Sequence, residues 1–231
     1  MTRIYSAFAN PNIRSLLNQL IDRSTVPALY QQTMIQLGVN LGDVILDQID
    51  DSASVYLAST VEDADFLSRG ILERLEEKLE SVAFACFWNQ RFSPFEVEDL
   101  QIAPILRKYQ EPSNQKINYL VVVKSIISSA CVVKTNLIDL IQKVEPEKIF
   151  IVAPVIHSQS EEKLKREFNS EIHNKFQFIY FAQDDEYSSD GEIVPGIGGM
   201  IYERLGFEDQ DTKNRYTPQL VKNRRGKLVS I

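Results

Sequence analysis

The pattern of hydrophobic and polar residues along the chain predicts alternating helices and strands. Apolar residues at positions 13, 16, 17, 20 and 21 share one helix face, and a second helix is predicted from a cap at Thr25 to about Ile49. Helical spacing also follows predicted caps at Ser59 and Ser158, and it recurs over 133–144. Strands are predicted at 54–58, 82–88, 117–123, 148–155 and 176–181, and the nearly continuous apolar runs at 117–123 and 148–155 are typical of buried strands.

The order of these elements predicts the fold class. Strands and helices alternate with short connections, so we expect right-handed crossovers and an α/β fold with a parallel sheet flanked by helices. Residues 89–116 are polar and contain three prolines, which favours a loop or a small hairpin. Ligands of parallel sheets bind at the carboxyl ends of the strands, which here lie near 58–62, 88–91, 124–131, 155–158 and 182–199.

A glycine-rich segment stands out at the last of these strand ends. Gly191–Gly199 reads Gly-Glu-Ile-Val-Pro-Gly-Ile-Gly-Gly and holds four of the nine glycines in the chain. Backbone without side chains can approach a flat ligand closely, so we interpret the segment as a ligand-binding loop, with a structural turn as the alternative. It is not a dinucleotide fingerprint, because position 201 is Ile and no βαβ unit opens there.

Composition and charge narrow the classes of protein. The chain is 44% hydrophobic and 25% charged, its apolar runs fall short of the ~20 residues of a membrane helix, and the first residues lack a secretory signal. Two cysteines, Cys86 and Cys131, predict free thiols rather than a disulfide framework. The net charge of −7 argues against a nucleic-acid-binding surface. We expect a cytoplasmic protein with neither nucleic acid nor membrane as a partner.

From Asn10 to Gly206 the chain resembles the uracil phosphoribosyltransferases, which have the type I phosphoribosyltransferase fold. The strongest match is Gly191-Glu-Ile-Val-Pro-Gly-Ile-Gly, against Gly-Tyr-Ile-Val-Pro-Gly-Leu-Gly-Asp in the family. Asp184-Asp185 stands where the family has an Asp-Glu pair, and Glu203-Arg204-Leu205-Gly206 resembles its closing Asp-Arg-x-x-Gly. The resemblance implies a phosphoribosyltransferase-like domain of residues 1–207, a small hood from the chain ends, and a homodimer.

Residues 208–231 lie beyond the resemblance and form a basic extension. This stretch has six basic and three acidic side chains in a chain that is acidic as a whole. A packed or flexible terminus and a contact to an acidic partner, such as the body of a second subunit, are both compatible with it.

The resemblance also implies a nucleobase site. Backbone groups of Ile193 and Gly198 would pair with the edge of uracil, and Met200 would pack nearby. Gly199, which replaces an aspartate that serves the ribose-phosphate side in the family, is also assigned to the nucleobase site.

The phosphoribosyl side departs from the family. The second substrate there is phosphoribosyl pyrophosphate with Mg²⁺, held by a strand followed by Asp-Pro-x-x-Ala-Thr-Gly-Gly-Ser. Here Lys124 replaces that aspartate, and Ala130 and Cys131 replace the two glycines. Side chains at 130–132 are predicted to crowd the cradle. Ser128, Ser129 and Lys124 remain as candidate phosphate contacts.

The family's first loop departs as well. An Arg-Ala-Gly sequence that holds pyrophosphate is replaced by Ser59-Thr-Val-Glu-Asp63, with Asp65 just beyond, and Trp88 stands where an arginine is expected. Three carboxylates at a helix start suit the helix dipole, but they would repel an anion.

These departures lead to a functional hypothesis with two alternatives. We interpret the chain as a divergent uracil phosphoribosyltransferase-like protein that lacks normal phosphoribosyl-pyrophosphate-dependent activity and acts through nucleobase or nucleotide binding, or through protein contacts. The first alternative is an active pyrimidine-salvage enzyme that forms UMP, with Mg²⁺ needed only with the bound pyrophosphate compound. The second is a structural subunit of a larger assembly. No resident metal is predicted, because His157 and His173 lack ligand partners at a recognisable spacing.

Overall fold

The computed structural model describes residues 3–92, 102–113, 116–189 and 191–229, with side chains through Gly226. The strands are β1 (Ile4–Tyr5), β2 (Ser54–Thr60), β3 (Ser81–Asn89), β4 (Ile105–Gln110), β5 (Tyr119–Val123), β6 (Ile126–Ile127), β7 (Lys148–His157), β8 (Phe176–Asp184), β9 (Glu186–Tyr187) and β10 (Ile193–Val194). The helices are α1 (Pro11–Ile21), α2 (Pro27–Leu46), α3 (Val61–Asp63), α4 (Arg69–Glu76), α5 (Cys131–Val144), α6 (Ser160–Arg166), α7 (Ser170–His173), α8 (Ile201–Arg204), α9 (Gln210–Arg215) and α10 (Gln219–Val229). A π-helical turn, Ala64–Ser68, joins α3 to α4.

The centre of the protein is one eight-stranded sheet in the order β1-β8-β7-β5-β2-β3-β4, with β6 paired to β7. The five central strands are parallel, whereas β1 and β4 run antiparallel at the two edges. A small antiparallel pair, β9–β10, stands apart. The predicted α/β fold with a parallel sheet flanked by helices is therefore confirmed.

The sheet is covered on both faces, as the unbroken apolar runs predict. In β5, Leu120 and Val122 pack into one hydrophobic cluster, whereas Val121 and Val123 pack into a second cluster on the other face. Side chains alternate between the faces of a strand, so a strand with apolar residues at every position must be covered twice.

Three predicted helix caps are wrong. The cap residue of α2 is Val26, that of α3 is Thr60 and that of α6 is Gln159. Two of the predicted hydroxyls bind elsewhere: Thr25 donates to the carbonyl of Gln19 at 2.8 Å, and the Ser59 hydroxyl pairs with Ser68 at 2.6 Å. Tertiary partners take these short polar side chains away from the local amides.

The polar stretch 89–116 contains the second strand of a hairpin. Strands β3 and β4 are antiparallel, and a further bridge joins Phe92 to Ile102. Pro94 lies outside the described residues. The hairpin prediction is confirmed as far as the structure describes this stretch.

The two ends of the chain pack on the body of the protein. Strand β1 extends the sheet beside β8. At the other end, Arg224 on α10 lies 2.6 Å from Glu111 and also pairs with Glu76. The basic extension thus meets acidic side chains of its own chain, while its boundary as a separate unit at residue 207 stays a prediction. None of the described helices is long and apolar enough to cross a membrane.

Candidate ligand-binding site

A pocket of about 200 Å³ lies at the carboxyl ends of β2 and β5, and the glycine-rich loop forms its opposite wall. We call it the inner pocket. Five residues predicted for the site line it: Lys124, Ser128, Ile193, Gly199 and Met200. Its other walls include Glu62, Arg91, Ile126, Ile197, Ile201 and Tyr202. Residues from distant parts of the sequence are thus brought around one small cavity.

Two buried charges hold the glycine-rich loop. The Gly196 amide donates to Asp184 Oδ2 at 2.9 Å, and its carbonyl accepts from Arg3 Nη2 at 2.5 Å. Arg3 and Asp184 themselves form a buried ion pair at 2.7 Å. Both polar groups of one residue are therefore fixed, which limits the positions that the loop can take.

Gly198 anchors the loop on its far side. Its φ is +84°, and a Cβ atom there would lie 2.2 Å from the carbonyl oxygen of Leu20 in α1. Next to it, the Tyr30 hydroxyl donates to the Ile197 carbonyl at 2.9 Å. Gly198 is not among the residues that line the inner pocket, so its backbone pairing with a base stays a prediction.

The wall formed by the ends of β2 and β5, which faces the glycine-rich loop, contains a group of buried charges. Lys124 Nζ donates to Glu62 Oε1 at 2.8 Å, to Asp63 Oδ2 at 2.9 Å and to the Thr60 hydroxyl at 3.2 Å. All of these side chains are buried. Each donor position of the ammonium thus has an oxygen partner within the protein.

A second lysine joins this group from α9. Lys213 Nζ donates to the Asn89 carbonyl at 2.7 Å, and it lies 4.0 Å from Glu62 Oε2 and 5.0 Å from the centre of the Tyr202 ring. We call Glu62, Asp63, Lys124 and Lys213 the buried ion cluster. Sequence reasoning missed Lys213, which lies beyond the resemblance and has no neighbouring motif.

The charges in the cluster stabilise one another. Burial by itself raises the pKa of Glu62, but Lys124 and Lys213 outweigh it and bring that pKa to about 2. Burial lowers the pKa of Lys124, and Asp63 and Glu62 reverse this so that the net shift is upward. For Lys213 burial dominates, and its pKa is lowered. Glu62 and Lys124 are therefore both ionised at neutral pH.

The third carboxylate of the predicted acidic group points elsewhere. Asp65 accepts from the amides of Gln219 and Leu220, at 2.8 Å each, and from the Tyr216 hydroxyl. It therefore caps the start of α10 and ties the C-terminal segment to the π-helical turn.

The two departures from the family pattern turn out to be one compensated change. The lysine at the end of β5 and the acidic pair after β2 bind each other directly. An ammonium cannot accept hydrogen bonds from ribose hydroxyls, and it repels a divalent cation. These residues do not fit the complex of phosphoribosyl pyrophosphate with Mg²⁺ that the resemblance implies. The described residues also contain no group of three or more side chains suited to hold a metal ion.

The predicted phosphate residues occupy the boundary of a second cavity. Ser128 lines the inner pocket and also an open groove of about 800 Å³, whereas Ser129 lines only the groove. We call this second cavity the outer groove. The Ser128 hydroxyl accepts from the Ser129 amide at 2.7 Å, and Ser160 donates to the Ser128 carbonyl at 3.0 Å. Phosphate binding by either serine stays a prediction.

The residues predicted to crowd the cradle lie at the start of α5. Ala130 belongs to one hydrophobic cluster and Val132 is buried, while Cys131 is half-buried and lines the outer groove. Cys86 is a buried free thiol. His157, at the end of β7, is buried and stacks on Tyr187 with ring centres 4.3 Å apart.

Comparison with known proteins gives a fold relationship. No family model matches the chain, and no curated protein matches it. The AQ2163 protein from Aquifex aeolicus has a similar structure, with a TM-score of 0.66 at 17% identity over 89% of this chain and 98% of that one. At this identity the likeness shows a shared fold.

Weaker structural matches include a hypoxanthine phosphoribosyltransferase from Staphylococcus aureus, with a TM-score of 0.42, 14% identity, and coverage of 67% of this chain and 74% of that one. A hypothetical protein from Neisseria gonorrhoeae with bound ppGpp gives a TM-score of 0.41, 12% identity, and coverage of 84% and 93%. Likeness at these scores carries no argument about this chain.

Proposed function

We propose that this protein binds a nucleobase or a nucleotide-like small molecule in the inner pocket and does not transfer a phosphoribosyl group. The observation that carries the proposal is the buried ion cluster beside the pocket, where Lys124 binds Glu62 and Asp63. The glycine-rich loop on the other side of the pocket has a uracil phosphoribosyltransferase-like sequence, which supports a base as the ligand.

The cluster opposes the transfer reaction on two grounds. Transfer needs positive groups that stabilise the leaving pyrophosphate, and helix α3, directly after β2, presents Glu62 and Asp63 instead. It also needs an acceptor for the ribose hydroxyls at the end of β5, where Lys124 offers only donors that are already bound. Rearranging the cluster to admit the substrate would leave buried charges unpaired.

The apolar part of the inner pocket suits a flat ring. Ile193 and Ile197 on the glycine-rich loop and Ile126 on β6 supply apolar surface, Tyr202 is half-buried, and Gly199 adds backbone without a side chain. A volume of about 200 Å³ is below the ~300–1,000 Å³ of pockets for drug-sized ligands, so a single ring system is the expected occupant.

Calorimetry tests the proposal. Uracil, UMP and phosphoribosyl pyrophosphate with Mg²⁺ are titrated separately into the purified protein, and UMP formation is then assayed with both substrates together. We expect uracil or UMP to bind and no turnover. Tight binding of the pyrophosphate compound followed by turnover would establish the active salvage enzyme instead. Absence of all binding would leave the structural-subunit alternative, which co-purification would then address.

A pair of tryptophan variants locates the binding. Met200→Trp places a large side chain at the mouth of the inner pocket, where Met200 is 46% exposed, and we expect it to abolish binding. Ile138→Trp is the control, because Ile138 is 56% exposed on α5 and lines neither cavity. Equal affinities for the two variants would place the ligand elsewhere.

The homodimer implied by the resemblance is also a proposal. Analytical ultracentrifugation of the purified chain tests it, and a monomer at all concentrations would exclude it.

A further inference from the structure

The inner pocket lies beside the outer groove, whose lining includes Ser128 and Ser129, the two serines that the resemblance marks as candidate phosphate contacts. Ser128 and Gly191 line both the inner pocket and the outer groove, so the two cavities meet at these residues. The groove runs between the start of α5, helix α6, and the residues Tyr187 and Gly191. The pocket and the groove are therefore adjacent cavities that share part of their lining.

The size of the two cavities separates their roles. About 200 Å³ suits one ring system, whereas the groove offers about 800 Å³ and is open to solvent. A ligand with a ring at one end and an extended chain at the other fits both spaces. A free base would leave the groove unused.

The charge of the groove indicates that the extended part of the ligand is anionic. Lys134, Lys163 and Arg166 line it, against one carboxylate, Glu167. This surplus of positive charge lies in a protein whose net charge is −7. Arg91 adds a further guanidinium on the wall of the inner pocket. Cations gathered in a cleft attract a ligand with several negative charges.

These cations are available to a ligand. Among the described residues Lys163 has no carboxylate within salt-bridge distance. Lys134 pairs with Glu167, and Arg166 pairs with Glu162 at 2.9 Å, but all four side chains are well exposed. Exposed pairs contribute only ~0–1 kcal/mol, so a polyphosphate can replace them at little cost.

We propose that the protein takes a nucleoside polyphosphate, with the base in the inner pocket and the phosphate chain in the outer groove. This inference rests on the proposed function, and it narrows the ligand from a free base to a polyphosphorylated nucleotide. Phosphate oxygens would meet Ser128 first and then the three basic side chains. Each further phosphate therefore adds charge-assisted contacts.

The number of phosphates tests the inference. Mono-, di- and triphosphates of uridine, cytidine, adenosine and guanosine, together with inorganic triphosphate, are titrated into the full chain at low and at high salt. For whichever base binds, we expect affinity to rise from mono- to triphosphate, and the gain to shrink at high salt. A triphosphate that binds no more tightly than its monophosphate overturns the inference, and the proposed function survives.

Two lysines of α6 provide a matched pair of variants. Lys163 lines the groove, whereas Lys165 pairs with Glu161 at 3.7 Å, lies over the Phe178 ring and lines neither cavity. Lys163→Ala should weaken triphosphate binding by about threefold to tenfold and leave monophosphate binding nearly unchanged, and Lys165→Ala should change neither. Equal losses in the two variants would overturn the groove assignment.

The failure of the proposed function gives a different result. If inorganic triphosphate binds as tightly as every nucleotide, the base contributes nothing. That result rejects both the inner-pocket function and the nucleoside part of this inference. If none of the compounds binds, both proposals are wrong.

Discussion

The two walls of the inner pocket are held by different physical means. The wall formed by Gly191–Gly199 depends on backbone conformation, since Arg3 and Asp184 bind the two backbone polar groups of Gly196 and Gly198 approaches α1 closely. The wall formed by the strand ends depends on side-chain charge, since Lys124 and Lys213 together balance the two buried carboxylates Glu62 and Asp63.

The two walls are therefore expected to respond differently to substitution. The loop is a local structure whose glycines accept conformations that other residues adopt only with strain. The buried ion cluster is a set in which removal of any member leaves another charge buried and unpaired. We therefore expect the charged wall to be the more sensitive of the two to a single substitution.

The largest effect is expected from Lys124→Met. Glu62 and Asp63 would stay buried without their ammonium partner, so the free energy of unfolding should fall by about 3–5 kcal/mol in urea denaturation. Adding Glu62→Gln and Asp63→Asn should restore part of the loss. Lys222→Met is the control, because Lys222 is exposed on α10. A loss no larger than that of the control would show that the cluster does not stabilise the fold.

The next effect concerns the ion pair between Arg3 and Asp184 that holds the glycine-rich loop. Asp184→Asn removes the charge that pairs with Arg3, and we expect a loss of about 2–3 kcal/mol in the free energy of unfolding. Asp185→Asn, at the exposed neighbouring position, should have little effect. Urea denaturation of the two variants decides the matter, and similar values for both would mean that the ion pair does not hold the loop.

A smaller effect is expected from the glycines themselves. Both Gly198 and Gly191 have positive φ, at +84° and +76°, but only Gly198 has a neighbour within 4 Å of an added Cβ. Gly198→Ala should therefore lower the free energy of unfolding by about 2 kcal/mol, and Gly191→Ala by about 1 kcal/mol. The difference between them measures the contact with Leu20. Thermal melts of the two variants that coincide would rule out this close contact.

The last effect lies in the acid range. The pKa of Glu62 falls from its ordinary 4.5 to about 2 on folding. Its ionised form thus stabilises the folded state above pH 4.5, and this stabilisation is lost as the pH falls toward 2. In Glu62→Gln the slope of unfolding free energy against pH should be shallower there by up to about 1.4 kcal/mol per pH unit.

An exposed glutamate supplies the comparison for this titration. Glu162 pairs with Arg166 at the surface of α6, and Glu162→Gln should leave the slope in this range almost unchanged. If Glu162→Gln flattens the slope as much as Glu62→Gln does, the burial of Glu62 has no part in the acid response.

Local patterns in the sequence are enough to predict the parallel sheet and the unusual backbone of the glycine-rich loop. Apolar runs such as 117–123 and 148–155 require burial on both faces, and the short connections between strands and helices allow few topologies other than a parallel sheet. The density of glycine at 191–199 likewise indicates a special backbone path, because glycine adopts conformations that strain other residues. These signals are local, and local patterns can be read along the chain.

The chemistry of the charged wall, in contrast, emerges only in the folded protein. Compared with the family pattern, Lys124 replaces an aspartate, and Glu62 and Asp63 stand in place of the loop that holds pyrophosphate. Nothing in the sequence indicates that the two changes compensate each other. Lys213 enters from 89 residues beyond Lys124 in the numbering of the chain. Charges interact through distance in space rather than along the sequence, so only the folded protein brings the four side chains into one buried cluster.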